Sequence, residues 1–107
     1  YNLAVLSVID LQSEPAVPIP DKLLLKANYP NPFNPSTTIR FGLPRAAEYS
    51  LRVYDQLGRI VGIIDEGFRN AGEFDVEFRA AGLSSGIYYY VLRSGGAVEV
   101  RPMVLVK

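Results

Sequence analysis

The chain has 107 residues, a single domain's worth, with eleven basic residues against eleven acidic ones and no His, Cys or Trp. Those zeros exclude the zinc, haem, iron–sulfur and blue-copper ligand sets, any disulfide, and any nucleophile that depends on a His base. Zero net charge argues against nucleic acid, whose binding rests on an excess of Lys and Arg over phosphate. An oxygen-ligated calcium site stays open. Hydrophobic residues make up 49% of the chain, enough for a packed core, yet no apolar run approaches the ~20 residues of a membrane helix.

In chain order, residues 2–11 (NLAVLSVIDL) come first, an apolar run uncharged until Asp10. Leu3, Val5 and Ile9 alternate with Leu6 and Val8, so both faces are apolar. That suits a strand buried on both sides, and in water it would be prone to aggregate. It must pair with something. It can fold back on its own domain, belong with a preceding domain that is not here, or insert into a neighbouring copy. A head-to-tail contact that does not close makes a filament. No signal-peptide pattern opens the chain at Tyr1, so a processed or excised piece of something longer is expected.

Residues 12–21 (QSEPAVPIPD) carry Pro15, Pro18 and Pro20 and read as a semi-rigid extended linker. Ten such residues reach about 31 Å. Residues 22–107 are the expected folded body.

Within the body, Lys22–Ala27 is a short candidate strand. Residues 28–38 (NYPNPFNPSTT) form a rigid, non-helical loop because of Pro30, Pro32 and Pro35. Its plain role is to cap one end of the fold with Phe33 plugging the core, and its alternative role is docking. Thr38–Leu43 puts Ile39, Phe41 and Leu43 on one face, and Tyr49–Tyr54 does the same with Tyr49, Leu51 and Val53. Asp55 to Arg59 reads as a hairpin turn, with Asp55 bonding its own backbone and Gly58 supplying a positive φ. Ile60–Asp65 is the return strand, with Gly62 as a candidate bulge.

Phe74, Val76 and Phe78 alternate with Glu73, Asp75, Glu77 and Arg79. Three carboxylates at alternate positions satisfy the spacing of a glycosidase pair. A solvated strand face offset by Arg40, Arg52 or Arg79 is the better reading. Gly82 to Gly86 is a turn with Leu83 tucked inward, because no helix follows to make it a phosphate loop. In Ile87–Arg93, Tyr88, Tyr90 and Leu92 face the core and Tyr89 points out, near Tyr54. Such a pair could stack on a sugar ring, but cross-strand aromatics are ordinary on sheets. Val98–Val106 is last, and Pro102 places it at an edge or at a bulge. About seven strands spaced roughly 8–14 residues apart, with no helical period, predict an all-β immunoglobulin- or fibronectin III-like β-sandwich.

Four segments carry a resemblance: YPNPFNPSTTIRFGLP (29–44), LRVYDQLGRIV (51–61), GLSSGIYYYVLRSGG (82–96) and MVLVK (103–107). In this order they resemble the C-terminal sorting domain of type IX secretion substrates, and equally the related immunoglobulin-like domain of the flagellar hook-capping protein. The resemblance implies a non-enzymatic module without cofactor, extracellular or on the cell surface of a Bacteroidetes–Chlorobi-type bacterium. It implies recognition by the outer-membrane export machinery, often followed by cleavage in the linker. Carried onto this chain, the candidate recognition residues are Pro30, Asn31, Pro32, Phe33, Asn34, Pro35, Asp55, Gly58, Arg59, Gly86, Tyr88, Met103, Leu105 and Lys107. Pro102 stands where the family usually has a basic residue. The alternative is a structural filament subunit whose partner is its own neighbour, joined through residues 1–11 with Leu3, Val5, Leu6, Val8 and Ile9 as donor residues.

Overall fold

The structure, a computed structural model, describes residues 19–107. The donor residues 2–11 and most of the linker lie outside that range. The described residues form seven strands: β1 Leu24–Leu25, β2 Ser36–Leu43, β3 Ala47–Tyr54, β4 Ile60–Arg69, β5 Gly72–Arg79, β6 Gly86–Ser94 and β7 Ala97–Leu105. All pairings are antiparallel, in a three-stranded sheet β1-β2-β5 and a four-stranded sheet β4-β3-β6-β7. The two sheets make the expected all-β sandwich.

The period-2 pattern dictates the faces. Ile39, Phe41 and Leu43 of β2 turn inward against Tyr49, Leu51 and Val53 of β3 and Tyr88, Tyr90 and Leu92 of β6. These β-branched, aromatic and aliphatic residues are strand formers because they pack on a pleated, half-buried surface. Tyr90 is fully buried and donates its hydroxyl to the Lys26 carbonyl at 2.7 Å, tying the four-stranded sheet to the end of β1. Tyr89 faces out, opposite Tyr54 on one side and Pro102 on the other. Pro102 lies on an edge strand, paired with β6 without a bulge.

Several boundaries differ from expectation. β1 is two residues long, because Lys26 and Ala27 already lead into the proline loop. β4 runs on to Arg69, four residues past the expected end, through Glu66, Gly67 and Phe68. It pairs with β3 to the end, Ala47 opposite Arg69, and that pairing outweighs its polar sequence. Its two register shifts flank Gly62, which itself pairs with Val53. The last two strands also start one residue early: Gly86 opens β6 and Ala97 opens β7.

Of the three arginines expected to offset Glu73, Asp75 and Glu77, Arg40 alone does so. It donates to Asp75 at 2.7 and 2.9 Å and approaches Glu73 at 4.0 Å. Arg52 lies on the other sheet and binds Glu66 at 3.2 Å, and Arg79 donates to Ser36. Register decides this: Arg40 sits directly opposite Asp75.

Near Leu43 the core is closed by three aromatics and a cation. Phe41 packs on Tyr49 (5.2 Å between centroids) and on Phe74 (5.5 Å), and the Arg69 guanidinium lies 4.7 Å over the Phe74 ring. Tyr49 donates its hydroxyl to Asp65 at 2.6 Å, and Arg69 donates to both the Tyr49 oxygen and Asp65. Burial pushes the Asp65 carboxyl up, but the bonds from Tyr49 and Arg69 outweigh it and hold the pKa below its ordinary value. The folded value lies below the unfolded one, so this carboxylate contributes stability above the ordinary Asp pKa of about 3.9, lost as pH falls through the folded value. Asp55, held by backbone N–H groups and Arg59, and Asp75, held by Arg40, are lowered in the same sense. The urea midpoint is therefore expected to hold near neutral pH and to drop below about pH 4. Asp65→Asn should show a shallower acid decline, and an equally steep one would assign the loss to other groups.

Candidate functional site

The candidate residues belong to four segments far apart in sequence, and the topology carries them to one pole of the sandwich. Ser36 lies opposite Arg79, so the start of β2 and the end of β5 share that pole. Tyr54 lies opposite Tyr89, and Gly86 opposite Leu105. The β3–β4 hairpin, the β5–β6 connection and the end of β7 therefore gather there too.

Phe33 is the centre of the pole. Its side chain is 2% exposed and packs edge-on against Phe78 at 6.2 Å. Its backbone pairs alongside the end of β7 in an isolated parallel bridge to Leu105: Phe33 N–H donates to the Val104 carbonyl, and Val106 N–H donates to the Phe33 carbonyl, both at 3.0 Å. Asn31 Oδ1 accepts from Val104 N–H at 3.0 Å. Pro30, Asn31, Pro32, Asn34 and Pro35 surround this plug and are exposed. The X–Pro bonds at Pro30, Pro32 and Pro35 are cis.

Asn28 and Thr37 brace the loop from inside, and reading the sequence did not single them out. Both are buried; Asn28 Nδ2 donates to Thr37 Oγ1 at 3.0 Å, and Thr37 Oγ1 donates to the Pro30 carbonyl at 2.9 Å. The available signal was a small polar residue at each end of the proline run, where exposed carbonyls need donors.

The hairpin forms as its sequence requires. Asp55 Oδ1 accepts from the Leu57 and Arg59 N–H groups at 2.9 Å, its Oδ2 accepts from Arg59 Nε at 2.8 Å, and Gly58 has φ 82°. Asp55 and Arg59 thus bind each other within the turn. The tip presents Leu57, 77% exposed. In the β5–β6 connection Leu83 packs against the core, and Tyr88 donates its hydroxyl to the Ser84 carbonyl at 2.7 Å. Lys107 N–H donates to Ser85 Oγ at 2.9 Å. Tyr88, Met103 and Leu105 are buried, so with Phe33 they shape the pole from below. Its exposed surface belongs to the prolines, Asn31, Asn34, Leu57, Gly58, Arg59 and Lys107.

The described chain enters at the opposite pole. Pro20 sits over Gly42, where an added Cβ would lie 2.9 Å from the Pro20 ring, so glycine permits the close approach. Asp21, Lys22 and Leu23 line a shallow concavity with Pro44, Ser94, Gly95 and Ala97. Among the described residues no cluster of His, Cys, Asp or Glu is arranged to hold a metal ion. No helix there is long and apolar enough to cross a membrane.

These features define a β-sandwich module whose motif residues form a surface of shape and hydrogen bonds rather than a cleft. A family model for the secretion system C-terminal sorting domain matches residues 27–107, and the chain belongs to that family. The match covers the body from just past β1 onward and includes all four motif segments. No curated protein matches the chain.

Proposed function

We propose that this chain is a non-catalytic type IX sorting and anchoring module that presents its Phe33-centred pole to the outer-membrane export machinery. One observation carries the reading: the candidate recognition residues of all four motif segments converge on one pole, and the linker enters at the other. A cargo fused ahead of the linker leaves the motif pole free. On this reading the protein is extracellular or attached to the cell surface, and the exposed residues around Phe33 and Leu57 are read by the receptor.

The test keeps the fold and changes the surface. The triple variant Asn34→Glu, Leu57→Glu, Lys107→Glu alters exposed side chains that make no hydrogen bond in the fold. It should cost within about 0.5 kcal/mol per substitution. A cargo fused to it, in a host with the export system, is expected to accumulate in the periplasm. The same cargo on Arg45→Glu, at the other pole, is expected outside. Export of the triple variant at the wild-type level would sink the proposal.

A second reading is favoured by the outer edge of β7, which no strand among the described residues covers. On that reading the chain is a structural subunit of an extracellular filament, joined head to tail through residues 1–11.

A further inference from the structure

β7 changes character halfway along. Met103 and Leu105 are buried in the core, whereas Ala97 to Pro102 are exposed on both faces. Val98 and Val100 lie on the outer face at 45% and 55% exposure. Their neighbours Glu99 and Arg101 face the other way, toward the edge of the three-stranded sheet, yet stay exposed, and Arg101 donates to the Leu25 carbonyl of β1 at 2.6 Å.

The backbone edge of this segment is open as well. Val104 donates its N–H to Asn31 and accepts from Phe33, so its polar groups point away from β6. Alternation along an antiparallel strand then turns the N–H and C=O of Val98 and Val100, and the C=O of Pro102, to the same outer side. Among the described residues nothing pairs with them there. Nine residues of β7 pair with β6 without a register shift, so no bulge twists the edge away. Proline lacks the N–H, so Pro102 marks where the open ladder stops and the Phe33 bridge takes over. An edge of this kind is a template for another strand.

The chain also carries a sequence of matching chemistry. Residues 2–11 are apolar on both faces, as a strand laid against exposed valines requires. The linker's described end lies beside the start of β7, with Asp21 to Leu23 next to Ser94, Gly95 and Ala97. Residues 12–18, extended at about 3.1 Å each, reach about 22 Å. Pairing with the chain's own β7 would require a reversal within a segment whose Pro15 and Pro18 favour extension. Pairing with a neighbour's β7 requires none.

We propose that the outer edge of β7 over Val98–Pro102 is the acceptor for residues 2–11 of a second copy of this chain. The acceptor assignment rests on the filament reading and is independent of export. Each copy offers one donor and one acceptor, so the contact is heterologous and propagates.

The full chain carries the test. Val100→Pro deletes the outward N–H and leaves the ladder to β6 intact, because that N–H does not face β6. It is expected to keep the wild-type melting transition and to weaken association about tenfold or more by light scattering across a concentration series. In a chain with no native cysteine, a Leu6→Cys chain mixed with a mass-tagged Val100→Cys chain is expected to form a disulfide between copies under mild oxidant. Val5→Cys serves for the other face of the strand. Three results would overturn the proposal. If the wild-type chain is monomeric throughout, the filament reading fails with it. If association depends on residues 1–11 but neither Val100→Pro nor the cysteine pairs report it, the acceptor lies elsewhere and the filament reading stands. If the chain carrying both cysteines closes on itself as a monomer, the strand pairs within its own copy.

Discussion

Phe33→Ala is expected to lower the unfolding free energy by about 3–5 kcal/mol, the range for deleting a buried aromatic. Phe33 lies in a loop, where truncation usually costs little, so the expectation depends on its burial. Its ring is almost fully buried and packs edge-on against Phe78, and its backbone is bonded on both sides to the end of β7. The proline loop cannot collapse into the void, because Asn28 and Thr37 hold the Pro30 end and the Pro35 carbonyl accepts from Ala80 N–H. A cavity that cannot relax sits at the costly end of the range. For a domain of total stability about 5–15 kcal/mol this is about a fifth or more of the whole. Urea unfolding should show a lower midpoint with an unchanged slope, since the surface exposed on unfolding hardly changes. Asn34→Ala, one residue away, exposed and making no side-chain hydrogen bond, should stay within about 0.5 kcal/mol. A loss under about 1 kcal/mol for Phe33→Ala would mean that the ring does not plug the core.

The faces of the strands were legible in the sequence because period-2 alternation is a local signal. Ile39, Phe41 and Leu43, Tyr49, Leu51 and Val53, and Tyr88, Tyr90 and Leu92 all turn inward as their spacing predicts. The hairpin at Asp55 was legible for the same reason: a short side chain bonds backbone groups two and four residues away. The missing parts were set by partners. Glu66, Gly67 and Arg69 lack strand propensity but pair with β3, and that pairing extends β4. Arg40 rather than Arg52 answers Asp75 because of register across 35 residues, which composition cannot supply. Val91 belongs to the outward set of β6 yet is buried, in a row with Arg52 and Val100. The four motif segments could be read singly; the meeting of their recognition residues at one pole follows from topology.

That meeting has a second consequence. Deleting Met103–Lys107 is expected to abolish the cooperative fold, not merely to remove a signal. Met103 and Leu105 are fully buried, and losing each costs about 2–5 kcal/mol, which together rivals the stability of a domain this size. The deletion also removes the partners of Phe33, Asn31 and Ser85. Loss of the melting transition and of amide dispersion in NMR spectra would show the collapse, and a folded truncation with a normal melt would refute it. A failed export of that truncation therefore says little about where the receptor binds. Deleting only Val106 and Lys107 separates the two effects. Both side chains are exposed, and the deletion costs two hydrogen bonds, about 1–3 kcal/mol in all. The shorter deletion is expected to stay folded and to leave cargo in the periplasm, because it strips the surface beside Phe33 and spares the core. If it stays folded and exports normally, the receptor does not read the end of β7, and the exposed prolines and the Leu57 tip carry the address instead.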